Sequence, residues 1–210
     1  MTMVAHKSPY KPAPRISAKK IPKALVYEIM DGKPVYYHGY KEVLTGTKTI
    51  GEVMGASSLQ VFMIQHLLRI LFRGLDEKKY HILTNEAGLH INRRNNLSGD
   101  IVIYENSVFP VKAANKNYFA VPPKIQIEID IDADVEDWGN ENGYMHLKIN
   151  KLLDFGVEKV IWITSFSKKV LVATKDENWQ IIDWHKPIEI LDGLTFNIGQ
   201  YLQDEGSEFA

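Results

Sequence analysis

The stretch Lys124-Ile125-Gln126-Ile127-Glu128-Ile129-Asp130-Ile131-Asp132 alternates apolar and polar residues at period two. On a β-strand that alternation gives one apolar face and puts Glu128, Asp130, Asp132 and Asp134 together on the other. Like charges on one face repel unless water, counter-ions or a metal screens them. Hard divalent cations take carboxylate oxygens, so a cation site is one solution. A solvated charged strand is the bland alternative, and pattern alone favours it. Asp100 heads a second apolar run, Ile101-Val102-Ile103, and would add a fifth carboxylate if the two strands are neighbours.

A calcium loop competes for the same acids. Asp130, Asp132, Asp134 and Glu141 occupy positions 1, 3, 5 and 12 of the EF-hand pattern. Val135 stands where the sharp turn wants Gly, and a strand rather than a helix precedes the loop, so the pattern is incomplete. Lys148 lies on the following helix at the margin of an apolar stripe. Its helical neighbours Tyr144, Met145, Lys151 and Leu152 make a Lys that covers the stripe with its alkyl stem the plainer reading.

The elements that must position these groups are legible in part. Asp31-Gly32-Lys33-Pro34 is a turn between two short apolar stretches, and Thr45 to Met54 is undetermined. Ser57 with Gln60 forms a capping-box pair that opens a helix ending near Gly74, its Met and Phe stripe expected in the core. Strands are expected at 80–84, 88–91, 97–104 and 124–132. A second helix, Tyr144 to Asp154, ends at Gly156, and strands at 160–164, 170–173 and 179–182 follow. A turn at Asp192-Gly193 and a short helix from Ile198 to Leu202 close the chain. Helix, strands, helix, strands fits one layered α/β or α+β domain with a mixed sheet.

Bulk properties set the bounds. The chain has 210 residues, 24% charged and 45% hydrophobic, with a net charge of −1, so no global field advertises a nucleic-acid partner. It has no Cys, which removes disulfides, thiolate metal sites and a Cys nucleophile. No apolar run approaches the ~20 residues of a membrane helix, and no secretory signal is seen, so a cytoplasmic location is expected. Residues 1–27 hold six Lys or Arg and no acid, with four Pro among them. Residues 1–23 are therefore read as a basic flexible arm, 24–203 as the domain and 204–210 as a tail.

Leu97-Ser98-Gly99-Asp100-Ile101-Val102-Ile103 resembles the "PD-(V/I)" strand of the Uma-type family of restriction-endonuclease-like proteins, a branch of the PD-(D/E)XK nuclease superfamily. The Pro122-to-Asp130 stretch resembles that family's next strand, which carries the catalytic Glu. The stretch from Lys148 through Gly156-Val157 to Trp162 resembles its helix, turn and Trp-containing strand. Tyr27-Glu28-Ile29-Met30-Asp31-Gly32-Lys33-Pro34 is similar to its opening hairpin, and Asn85-Glu86-Ala87-Gly88 to the start of an early core strand.

The resemblance implies a restriction-endonuclease-like core with a mixed central sheet flanked by helices and an N-terminal extension. It implies DNA phosphodiester hydrolysis with Mg²⁺ or Mn²⁺ held by Asp100 and Glu128. Lys148 would complete the catalytic set, standing in for the superfamily's strand Lys, whose place is taken by Asp130, a third metal ligand in this reading. Glu86 is a weaker candidate. Gly99 stands where the family has Pro, and Ser58 to Gln60 lack the His that many members carry. Implied partners are DNA, bound weakly or non-specifically through Arg93, Arg94, Lys112, Lys116, Lys124 and the arm, and a second copy of the chain. The alternative is a degenerate nuclease fold acting as a nucleic-acid-binding or assembly module.

Overall fold

The structure, a computed structural model, describes residues 21–131 and 133–210. Most of the expected basic arm, and Asp132, lie outside the described residues. Lys23–Leu25 is a 3-10 turn that buries Leu25. Strands β1 (Val26–Met30) and β2 (Lys33–Tyr37) form the expected hairpin. Asp31 and Gly32 both take positive φ, 53° and 77°. That is the left-handed pair a two-residue hairpin turn requires. Helix α1 (Tyr40–Thr45) leads into the undetermined stretch, which contains one short helix, α2 (Ile50–Val53), opened by a Thr49–Glu52 capping box.

Helix α3 (Ser58–Gly74) begins where expected, with Ser57 accepting from the Gln60 amide. The capping box is only half made, because the Gln60 side chain leaves for a partner 69 residues away. Gly74 is not a left-handed cap. It is the last helical residue, and a Cβ there would lie 2.4 Å from Leu194 Cδ1, so close packing selects Gly. Met63, Leu67 and Leu71 enter the core, whereas Phe62 and Phe72 of the expected stripe stay exposed.

Strands β3 (Tyr80–Thr84), β4 (Leu89–Asn92), β5 (Asn95–Leu97) and β6 (Ile101–Glu105) follow, then β7 (Ile125–Ile129) and β8 (Ala133–Asp134). Helix α4 (Glu141–Phe155) is capped at its start by Asn140 and at its end by Gly156 (φ 117°), the Gly expected there. Strands β9 (Lys159–Thr164), β10 (Lys169–Thr174), β11 (Gln180–Asp183), β12 (Ile188–Leu191) and β13 (Leu194–Phe196) precede helix α5 (Ile198–Asp204).

The architecture is mixed α+β. A six-stranded sheet in the order β11-β10-β9-β7-β6-β3 is antiparallel except for the central β7–β9 pair, which α4 connects. Helix α3 covers one face, where Met63, Leu67 and Leu71 meet Ile101, Ile103, Ile125, Ile127, Ile129, Ile161 and Ile163. Helix α4 and a five-stranded sheet, β4-β5-β1-β2-β8, cover the other, with Met30, Val35 and Leu97 packed on Leu152, Val160 and Trp162. Each such aliphatic side chain contributes roughly 1.5–3 kcal/mol on burial.

Two expectations about the acidic segment are corrected. All five residues of β7 are buried, so its polar face is not a solvated charged face. The four acids also do not share one face. Strand β7 ends at Ile129, Asp130 turns the backbone at φ 56°, and Asp134 sits on β8 in the other sheet, paired with Lys41 at 3.2 Å. The incomplete calcium loop dissolves for the same reason: Asp130 and Asp134 are committed to different partners, and Glu141 opens α4.

Candidate active site

Antiparallel pairing of β6 with β7 sets Ile101 opposite Ile127, which brings Asp100, at the head of β6, beside the end of β7. Asp100 Oδ2 accepts from the Ile129 main-chain N–H at 2.7 Å. Glu128, one residue earlier, points to the opposite face from the Ile side chains and is 2% exposed. There it meets Lys148 of α4, itself 1% exposed, at 3.1 Å from Nζ to Oε1. The parallel register of β7 and β9, Glu128 beside Trp162, places the Trp162 ring 5.5 Å from the same ammonium. Lys148 is therefore a fully buried ion-pair partner and not a Lys lying along the surface.

A second acid completes this centre. Glu28 of β1 accepts from Lys148 Nζ at 2.7 Å, from the Tyr144 hydroxyl at 2.7 Å, and from both the main-chain N–H and the hydroxyl of Ser98. Sequence reasoning placed Glu28 only in a hairpin. The available signal was a lone acid inside the apolar strand Val26-Tyr27-Glu28-Ile29-Met30, since acids are buried only when paired.

Gln126, two residues before Glu128 on the same face, donates to Glu128 Oε1 and to the Ser98 carbonyl. Its Oε1 is buried and has no hydrogen-bond partner among the described residues. Gly99 is explained here. A Cβ would lie 2.9 Å from the Gln126 amide, so neither Pro nor Ala fits. Gln60, whose side chain left the capping box, donates to the Ile129 carbonyl at 3.0 Å and ties α3 to the end of β7.

The buried centre holds two carboxylates and one ammonium. Burial pushes the Glu128 carboxyl up to about 8, and Lys148, which pulls it down, is opposed by Asp100 and Glu28. Burial opposes the charge on Lys148, but Glu128 and Glu28 outweigh it and hold the ammonium well above the ordinary lysine range. Burial, then Glu28, keeps the Tyr144 hydroxyl protonated, as a donor to Glu28 must be.

Asp130 takes another direction. Its Oδ1 accepts from the Ser165 N–H at 2.6 Å, and its carbonyl accepts from Trp162 Nε1 at 3.0 Å. A cleft of about 180 Å³ opens beside Asp100, lined in part by Tyr27, Tyr37, Gln60 and Glu86. Asn85 and Glu86 at its rim both have positive φ, 73° and 52°. Such non-Gly strain costs about 1–3 kcal/mol per residue, the Asn being the better tolerated. Two of the cations expected to meet phosphates are committed to other partners. Lys124 is held by Glu105 at 3.0 Å and Glu158 at 2.8 Å, at the far end of β6 from Asp100, and Arg94 Nη2 donates to the Asp31 carbonyl.

Among the described residues no group of three or more His, Asp or Glu side chains is placed to hold a metal ion. The carboxylates expected to hold a cation, Asp100 and Glu128, come from neighbouring strands, with Asp100 Oδ2 on the Ile129 N–H and Glu128 Oε1 on Lys148.

The fold is a mixed α+β architecture in which a six-stranded sheet is covered by helices and a second sheet. The chain is similar to a crystal structure described as "a putative nuclease belonging to DUF820 from Anabaena variabilis", with a TM-score of 0.62 over 84% of this chain and 89% of that one, at 12% identity. At that identity the likeness establishes the fold. No protein-family model matches the chain, and no curated protein matches it. Among the described residues no helix is long and apolar enough to cross a membrane.

Proposed function

We propose that this chain is a divalent-metal-dependent nuclease that hydrolyses DNA phosphodiester bonds at the Asp100–Glu128–Lys148 centre. The observation that carries the reading is Lys148. An ammonium fully buried on a helix and shared between Glu128 and Glu28 is costly to desolvate. Such groups concentrate at functional sites. The fold shared with a structure described as a nuclease supports the same reading.

In this reading Asp100 and Glu128 hold Mg²⁺ or Mn²⁺. The cation, when bound, supplies a Lewis acid for the phosphate and lowers the pKa of a coordinated water. Lys148 supplies a fixed positive charge for the phosphorane-like transition state, and Glu28 with Tyr144 holds it in place. Asp130, with one oxygen on the Ser165 N–H, is assigned to holding the β9–β10 turn and not to the cation. Asp100, at the cleft, is the substrate-facing end of the centre.

A second reading is favoured by the near-complete burial of Glu128 and Lys148, which leaves Asp100 as the accessible member: a nuclease fold that binds nucleic acid without cleaving it. Nicking of supercoiled plasmid with Mg²⁺ or Mn²⁺ separates the two. The nuclease reading expects metal-dependent nicking that Asp100→Ala and Lys148→Ala each reduce at least a hundredfold. Absence of metal-dependent cleavage by the wild type on every DNA and RNA tested overturns it.

A further inference from the structure

The polar contacts around Lys148 close into a ring. Lys148 Nζ meets Glu128 Oε1 at 3.1 Å and donates to Glu28 Oε1 at 2.7 Å. Glu28 Oε1 also accepts from the Ser98 N–H at 2.9 Å, and the Ser98 carbonyl accepts from Gln126 Nε2 at 3.0 Å. The same amide nitrogen donates to Glu128 Oε1 and completes the circuit. Glu28, Gln126, Glu128 and Lys148 are all buried. Three of them already have work in the centre, and Gln126 has none.

Gln126 is costly to keep in this place. It is 0% exposed, and its Oε1 is buried with no hydrogen-bond partner among the described residues. An orphaned buried acceptor costs about 1–3 kcal/mol. Turning the amide over offers no escape, because its oxygen would then face the Ser98 carbonyl and the Glu128 carboxyl. Residue 99 also gives way to it: a Cβ there would lie 2.9 Å from the amide, so that position is restricted to Gly. An unbranched apolar side chain such as Met would fill similar space and leave no orphan. A buried polar group retained under those conditions calls for a role other than packing.

The direction of its hydrogen bond supplies one. Both groups that bind Glu128, the Gln126 amide and the Lys148 ammonium, meet the same oxygen, Oε1. Oε2 meets no donor among the described residues. With Oε1 fixed from two sides the carboxyl group cannot turn about its last bond, and Oε2 is held in one direction. We propose that Gln126 is a positioning residue for the cation site, fixing Glu128 so that Oε2 is the oxygen offered to a divalent metal ion. The proposal rests on the nuclease reading and adds a residue to its metal site. Gln126 touches neither metal nor substrate in this role and acts through Glu128. Partners that stand behind a ligand orient it, and losing one typically costs about 10- to 100-fold in metal affinity.

The test is Mn²⁺ binding without nucleic acid, followed by the EPR signal of the free ion at one pH above 8. The proteins are the wild type, Gln126→Met, Glu128→Gln and the double variant. Gln126→Met is expected to weaken Mn²⁺ binding roughly 10- to 100-fold. In the Glu128→Gln background it should have no further effect, since a residue acting through Glu128 has nothing left to orient once the carboxylate is gone. The same loss in both backgrounds, or no loss in either, overturns the positioning role; the nuclease reading stands if Glu128→Gln alone still weakens binding. No Mn²⁺ binding by the wild type, or binding that Glu128→Gln leaves unchanged, overturns both. Should Gln126→Met fail to fold, a wild-type crystal soaked in Mn²⁺ tests the same point. The ion should touch the Glu128 oxygen that faces away from Gln126 and Lys148, and an ion on the other oxygen overturns the proposal.

Discussion

Replacing Lys148 by Met keeps much of the side-chain volume and removes the one ammonium from a centre with two carboxylates. Lys148 Nζ lies 2.7 Å from Glu28 Oε1 and 3.1 Å from Glu128 Oε1, so those two oxygens are no more than about 6 Å apart. Burial keeps Glu128 largely neutral at pH 7.5, so loss of the ammonium leaves Glu28 as an unpaired buried carboxylate. The native variant escapes by taking up a further proton. For a carboxyl that ionises near 4.5 in the unfolded chain, that costs about 4 kcal/mol at pH 7.5 and under about 1 kcal/mol at pH 5. Leaving that charge unpaired and protonating it are alternative outcomes, so the expected loss is about 3–4 kcal/mol at pH 7.5, the size found when one partner of a buried pair is deleted. The sign follows: a carboxyl raised in the native state favours folding at low pH and loses that advantage as pH rises. Urea unfolding of wild type and Lys148→Met at pH 5 and pH 7.5 measures it, and Lys148→Met/Glu28→Gln should recover most of the loss at pH 7.5. A loss under about 1 kcal/mol, or an equal loss at both pH values, would refute the buried charge balance.

Three further outcomes are expected. Glu128, pushed up to about 8 by burial, makes wild-type stability fall by on the order of a few kcal/mol as pH rises from 4.5 through 8; Glu128→Gln should flatten that part of the unfolding profile. Gly99→Ala drives a Cβ to 2.9 Å from the Gln126 amide, which is tied to Glu128 and Ser98, and should cost about 1–3 kcal/mol in chemical denaturation. Asp130→Ala removes the bond to Ser165 and places Ala at φ 56°, so it should cost about 1–3 kcal/mol, whereas Asp130→Asn should cost under about 1 kcal/mol because Asn tolerates that φ and still accepts; equal losses would contradict the role assigned to the side chain.

Local chemistry carried the elements well. The Asp31-Gly32 turn, the Ser57 cap and the Gly156 cap are short-range signals, and all three appear in the structure at the expected residues. Period two marked β7 but not its depth. Alternation shows which residues share a face, whereas the burial of Glu128 depends on α4 and on β1, from almost 100 residues earlier in the chain. For the same reason Lys148 reads as a surface residue from its helical neighbours, and its partner Glu28 is invisible until the second sheet folds over the first. The short helices α1 and α2 escaped because neither carries an apolar stripe long enough to reveal a period. Gly74 was read as a helix stop and Gly99 only as a departure from the family's Pro, and each proves to be set by close contact from a distant side chain, Leu194 and Gln126.

The proposed nuclease centre requires a cation between Asp100 and Glu128. The most direct measurement is anomalous diffraction from crystals soaked in Mn²⁺, with wild type and Asp100→Asn compared at a pH above 8, where Glu128 is ionised. The account expects a wild-type peak within about 2.6 Å of an oxygen of each carboxylate, lost or much reduced in Asp100→Asn. A wild-type crystal saturated with Mn²⁺ that shows no peak there, or shows one only at other carboxylates, contradicts it.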